Sequence, residues 1–270
     1  VAFGLSFFLG NIFVVIFARN TNNNFIIPVL IASIIPIINF ILVFFYLPET
    51  KPNSEKNISK TVLKNPLKAL FTVFKEEKIK KLSLAFFIYF IAFTGLTNIL
   101  IFFLQESLNW TTKASSGTLV VVGIIAIIVQ GGLIGPLVKQ FGEMRLTLIG
   151  SGFILVACAL LITAPKENAT INIYSAVSFL AVGAGLITPT LRALISKKLD
   201  VDKQGSILSN LQGLQSLGGV LGVAMAGRVY DSFGPKSPFI AGSVILLFMI
   251  YLIAEGKNNN SFSNQNSKVS

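Results

Sequence analysis

The sequence predicts an all-α integral membrane fold of about eight transmembrane helices, and three observations predict it. The first is composition: 53% of the residues are hydrophobic and only 12% charged, with a mean hydropathy of +0.75. Soluble domains carry about a quarter charged residues, and a chain of 270 residues cannot hide this much apolar surface from water. The second is length, because several apolar runs reach the roughly 20 residues that cross a bilayer core of about 30 Å. The third is that Lys and Arg concentrate in alternate connections between those runs.

Taken in order, the spans are 2–18, 25–47, 82–104, 115–136, 146–164, 170–191, 205–228 and 237–255. The connections between them are rich in turn-forming or charged residues. The first span is short, as expected of a chain that begins part-way through a longer protein: Val1 opens in mid-pattern, with neither a basic leader nor an initiator methionine. Alternate connections, together with the C-terminal tail, divide the 22 basic residues 17 to 5. The richer side includes nine lysines between Lys51 and Lys81, then Lys139, Arg145, Arg192, Lys197, Lys198 and Lys203. Basic loops stay in the cytoplasm, so both ends of the chain are expected there, in a plasma (inner) membrane.

Four regions follow. Residues 1–47 form two helices, 48–81 a basic cytoplasmic connection, 82–255 a six-helix unit and 256–270 a disordered tail. In the connection, Ile58, Val62, Leu67, Leu70, Phe71 and Phe74 recur at near-helical spacing between lysines. That pattern suits a helix lying in the membrane interface, with a solvated linker as the alternative. The tail is rich in Asn and Ser and has no apolar periodicity.

Several function classes are excluded. The chain has no histidine and one cysteine, Cys158, so an intrachain disulfide and imidazole ligation of metal or haem are impossible. Cys158 reads as a small buried apolar residue. No nucleophile–base pair, metal cluster or phosphate-binding loop is visible, so no enzyme and no cofactor is expected. The net charge of +11 lies beside apolar spans rather than along one soluble face, which argues for membrane lipid and against nucleic acid as the partner.

The connection between the fourth and fifth spans holds Gly135, Leu137, Gly142 and Arg145 at the spacing G-x-L-x-x-x-x-G-x-x-R. This resembles the loop motif G-x-L-x-D-R-x-G-R-R of the major facilitator superfamily, in the weaker copy of its C-terminal half. Lys139 and Gln140 stand where the stronger form has Asp and Arg. The resemblance implies a gating loop at Gly135, Gly142 and Arg145, whereas Lys139 and Arg145 could equally be positive-inside anchors.

Other motifs extend the resemblance over nearly the whole chain, as helices five to twelve of twelve. Leu47-Pro48-Glu49-Thr50 closes the second span as the sixth helix commonly closes. The Gly183–Thr190 stretch, Gln204-Gly205 and the Gly218–Gly222 stretch are similar to helices ten and eleven of drug:proton antiporters of the tetracycline-efflux branch. The Phe3–Gly10 stretch looks like the start of the antiporter motif in helix five, although Asn11 replaces its proline and Val14 and Val15 fill its glycine positions. The resemblance implies proton-coupled efflux of a small amphipathic compound or drug by alternating access. Its coupling acids would lie mainly in the first four helices. Uptake of a metabolite by the same fold, or a shortened chain without transport, are the alternatives.

Candidate site residues come from polarity within the spans. Amides are costly to place against lipid, so Asn98, Gln105, Gln130 and Gln212, with Ser216 on the Gln212 face, are expected to line a substrate cavity, and Tyr174 to add an amphipathic contact. Pairing between helices is the competing reading. Gly218, Gly222 and Ala226 have the small-residue spacing of a helix–helix contact.

Overall fold

The computed structural model describes residues 2–17, 26–46, 70–165 and 169–266. Among them are eight long helices: α1 (Ala2–Phe17), α2 (Ile26–Tyr46), α3 (Lys80–Phe102), α4 (Thr112–Ile128), α5 (Ile134–Ile162), α6 (Thr170–Ser196), α7 (Val201–Phe233) and α8 (Ser237–Asn266). The eight correspond one to one with the eight predicted spans. Apolar side chains are exposed along the whole of α2 from Val29 to Tyr46, a surface that hydrocarbon can cover and water cannot.

Among the described residues, five stretches are long and apolar enough to cross a membrane: Val29–Tyr46, Lys80–Ser107, Thr112–Ile162, Thr170–Ser196 and Ser237–Glu255. The third is 51 residues long and holds two spans. Gly142 divides it, with φ 76° and ψ 159°, a backbone conformation essentially confined to glycine. Although it has 33 residues, α7 is not among the five, because Asn210, Gln212, Gln215, Ser216 and its glycines interrupt the apolar run. A spanning helix that is polar along one side must turn that side toward protein or water rather than lipid.

Helix pairing in the last six spans is internally repeated. α3 packs on α7 and α8, while α6 packs on α4 and α5. Laying α3, α4 and α5 in order over α6, α7 and α8 interchanges these pairs. Since α6 starts on the face where α3 ends, the repeat is inverted, as in transporter halves built this way.

Missing side chains set the close crossings. A Cβ on Gly222 would lie 2.3 Å from the Ile91 carbonyl oxygen, and one on Gly95 would lie 2.8 Å from that of Gly222. Gly218 meets Phe87 and Phe90, and Ala226 meets Gly95, so α7 uses the predicted small-residue stripe against α3. The α5–α6 crossing repeats the device with Gly150 and Gly183, and Thr147 and Thr190 share a hydrogen bond of 2.9 Å beside it. On the N-terminal side, α1 packs against α4, where a Cβ on Gly123 would meet the Phe8 backbone nitrogen at 2.5 Å.

Ion pairs place the basic connections at one end of the bundle. Lys81 bonds Glu255 at 2.8 Å, Lys203 bonds Glu76 at 2.8 Å, and Lys197 pairs with Glu143. At the other end Tyr230 donates to Glu106 at 3.0 Å, and Lys236 donates to the Ala164 carbonyl at 3.2 Å.

Two sequence expectations change, and the basic connection is described only at its end. The described end of the basic connection is a 3₁₀ turn, Phe71–Lys75, tucked beneath the bundle: Val73 and Ile79 are fully buried and Leu70 packs on Gly213. This described end packs on α3 and α7, while Phe71 of the predicted apolar run is exposed. Ile58, Val62, Leu67 and the Leu47–Thr50 motif lie outside the described residues. At the C-terminus, α8 is helical to Asn266, past the expected boundary at 256. Extending an existing helix needs no new nucleus. Finally, α6 runs to Ser196, five residues beyond the predicted end of that span at 191. Arg192 thereby belongs to the helix and not to a loop.

Candidate functional site

Several polar side chains lie along the contact between α3 and α7, called here the α3–α7 groove. On α3, the Asn98 side-chain nitrogen donates to the Thr94 carbonyl at 2.9 Å and the Thr94 hydroxyl donates to the Phe90 carbonyl at 2.6 Å. Thr94 faces Gly219 of α7, where a Cβ would stand 3.7 Å from its hydroxyl. One turn away, the Ser216 hydroxyl donates to the Gln212 carbonyl at 3.2 Å. Asn98, Gln212 and Ser216 are all exposed. Their helix-borne bonds use only part of their capacity, leaving the Asn98 carbonyl oxygen and the Gln212 amide nitrogen open to a solute.

The groove ends at a cation that the sequence reading had placed in a loop. Arg192 Nη2 donates to Oε1 of Gln212 at 2.6 Å and to Oε1 of Gln215 at 2.5 Å. Its Cζ lies 5.8 Å from the centre of the Phe86 ring, within cation–π range. Arg192 therefore joins α3, α6 and α7. Gln212 accordingly fits both readings, because it is exposed and also pairs across helices.

The remaining predicted residues lie elsewhere. Gln105 and Gln130 are each held in a π-helical turn, Phe103–Ser107 at the end of α3 and Val129–Leu133 at the end of α4. Such turns insert one residue into the helical repeat and recur at functional positions. Val129 beside Gln130 packs on Gly185 of α6, so Gln130 follows the α4–α6 contact rather than the α3–α7 one. Tyr174 lines a different cavity of about 450 Å³ with Phe153, Ser175, Ser178, Phe179 and Val182. Its ring lies 6.2 Å from that of Trp110.

In the loop motif, Gly142 makes the break within α5 that separates the fourth span from the fifth, whereas Gly135 is helical with open space around it. Arg145 is exposed. The charged contact of this loop comes instead from Glu143, which accepts from Lys197 at the end of α6. Sequence reasoning missed Glu143, Lys197 and Arg192. Glu143 was detectable as the one acid in that connection; Arg192 was not, since a base near a span end looks the same whether it faces in or out.

Comparison with known proteins places the chain in a family. The profile of the Major Facilitator Superfamily matches residues 1–223. The chain belongs to that superfamily. Its relatives there include the human Hippocampus abundant transcript-like protein 1, 21% identical over 84% of this chain and 49% of that protein. The class H tetracycline resistance protein of Pasteurella multocida is 24% identical over 76% of this chain and 50% of its own length. The crystal structure of the human organic anion transporter MFSD10 (TETRAN) superposes with a TM-score of 0.61 at 19% identity, covering 70% of this chain and 46% of that one. The chain thus spans about half the length of the superfamily relatives it matches. It is a multi-pass membrane protein of a transporter family.

Proposed function

We propose that the intact protein is a secondary transporter of the plasma (inner) membrane that exports a small amphipathic compound in exchange for protons, by alternating access. The observation that carries this reading is the open polar strip of Thr94, Asn98, Gln212 and Ser216 on otherwise apolar spans. Few, separated hydrogen-bonding groups on an apolar wall suit an amphipathic solute, whereas a sugar demands many. Similarity to tetracycline resistance proteins supports the export direction. The lysine-rich end of the bundle is cytoplasmic on this reading, and the Glu143–Lys197 pair closes the α4–α5 turn onto α6 there. Gln105, Gln130 and Tyr174 contribute secondary contacts.

Expression of the full-length gene in an efflux-deficient host tests the proposal. Reduced drug accumulation that collapses with a protonophore is the expected result. Unchanged drug accumulation with proton-linked uptake of a metabolite would reverse the direction assigned.

A further inference from the structure

We infer that Arg192 is an anion-recognition group, and that the transported compound carries a carboxylate or a similar planar anion beside its apolar body. The inference rests on the transport reading above and names its substrate class.

The argument begins with charge accounting. Arginine is cationic at any accessible pH and has five N–H donors in a planar fork. Arg192 is half-buried in α6, yet among the described residues it forms no salt bridge. The described glutamates are engaged elsewhere: Glu76 with Lys203, Glu77 with Lys80, Glu143 with Lys197, Glu255 with Lys81, and Glu106 with Tyr230. The partners that Arg192 does have are neutral amide oxygens. Its Nε is buried and has no acceptor. A partly desolvated cation held only by neutral groups is under-compensated, and leaving a buried donor unmade is costly.

The position of this cation converts the deficit into a site. Gln212 is exposed, and the guanidinium reaches it directly, so the charge stands at the end of the open strip rather than in the sealed core. The Phe86 ring beneath is fully buried and, with the two glutamine oxygens, fixes the guanidinium in place before any ligand arrives. Such preorganisation lowers the ordering cost of binding. An incoming carboxylate accepts from the fork as a planar, charge-assisted pair, while the apolar remainder of the solute lies against the groove.

Fluorescein and a rhodamine ester share a xanthene ring and differ in the carboxylate, so they serve as probes on the purified full-length protein. Fluorescein binding, read by polarisation in detergent, is expected to weaken about tenfold or more in Arg192→Gln, the loss of one charge-assisted hydrogen-bonded contact. Gln212→Glu is the second variant. It keeps the side-chain size, leaves Arg192 in place and supplies an internal counter-ion, so it should suppress fluorescein binding as strongly. The ratio of fluorescein to rhodamine-ester affinity should fall in both. Wild-type protein that binds no fluorescein, or either folded variant with an unaltered ratio, overturns the inference. Displacement of fluorescein by phosphatidylglycerol where phosphatidylcholine displaces none would assign the cation to a lipid headgroup and overturn it as well. Transport in proteoliposomes keeps the two readings apart: binding that depends on Arg192 without movement of either probe refutes export and leaves the anion site standing.

Discussion

Gly95 of α3 and Gly222 of α7 meet so closely that a Cβ on Gly95 would lie 2.8 Å from the Gly222 carbonyl oxygen. This contact brings the polar side of α7 against α3 and thereby forms the groove that carries Thr94, Asn98, Ser216 and Gln212. In hydrocarbon, where apolar burial gives little drive between helices, close backbone packing is the main source of association.

Gly222→Ala should therefore separate the two helices, since its Cβ would meet the Ile91 carbonyl oxygen at 2.3 Å. Overpacking of this kind costs about 1–3 kcal/mol. Gly227→Ala, with nothing within 4 Å of the new Cβ, is the matched control. Thermal unfolding in detergent should show a lowered midpoint for the first and little change for the second. Equal midpoints would mean that the crossing is not tight.

Gly142→Ala probes the turn between the spans of α4 and α5. The space around it is open, but φ is +76°, so any cost comes from the backbone alone, about 1–3 kcal/mol. Gly135→Ala, in a helical stretch with equal space, should be neutral or slightly stabilising. A Gly142→Ala protein with wild-type abundance and midpoint would contradict the assigned turn.

The Glu143–Lys197 pair ties the α4–α5 turn to the end of α6. Lys197 is largely exposed, and pairs of that kind contribute about 0–1 kcal/mol. Glu143→Lys should slow transport with little loss of stability, and the charge-reversed double variant with Lys197→Glu should recover the rate. Failure of the double variant to recover while both singles fold would show that the pair has no gating role.

Asn98→Leu and Gln130→Leu separate a primary solute contact from a secondary one. Asn98 is exposed on the groove and should change substrate preference severalfold at normal membrane abundance. Gln130 sits in the π-helical turn at the end of α4, beside a Val129 packed on α6, and its replacement should change preference less. An unchanged substrate profile in Asn98→Leu would remove that residue from the solute-binding wall.

Alkaline pH should uncouple the connection preceding α3 from α7. The hydrogen bond and charge of Glu76 raise the Lys203 ammonium above the ordinary lysine value. A group whose folded pKa is raised stabilises the fold below its unfolded pKa and loses that effect as pH rises through the folded value. The difference in thermal midpoint between wild type and Glu76→Gln should be flat near neutrality and vanish on the alkaline side. A difference that grows with pH would contradict the pairing.

Eight membrane spans, a lysine-rich alternation of the connections and the glycines that carry structure are all legible in the residues alone. These are local properties. A run of apolar residues needs lipid whatever its neighbours do, Gly142 suits a positive φ, and small residues at Gly218 and Gly222 mark one face of one helix. Which polar residues share a surface depends on how the helices pack. Asn98 on α3 and Gln212 and Ser216 on α7 lie on two helices that pack together, while Tyr174 lines a separate cavity and Gln105 and Gln130 sit in π-helical turns. Arg192 and Glu143 illustrate the same limit: periodicity locates a side chain on a helix, but its partner depends on which helices pack together. That choice is made by close backbone crossings such as Gly95 with Gly222 and Gly150 with Gly183, between residues far apart in the chain.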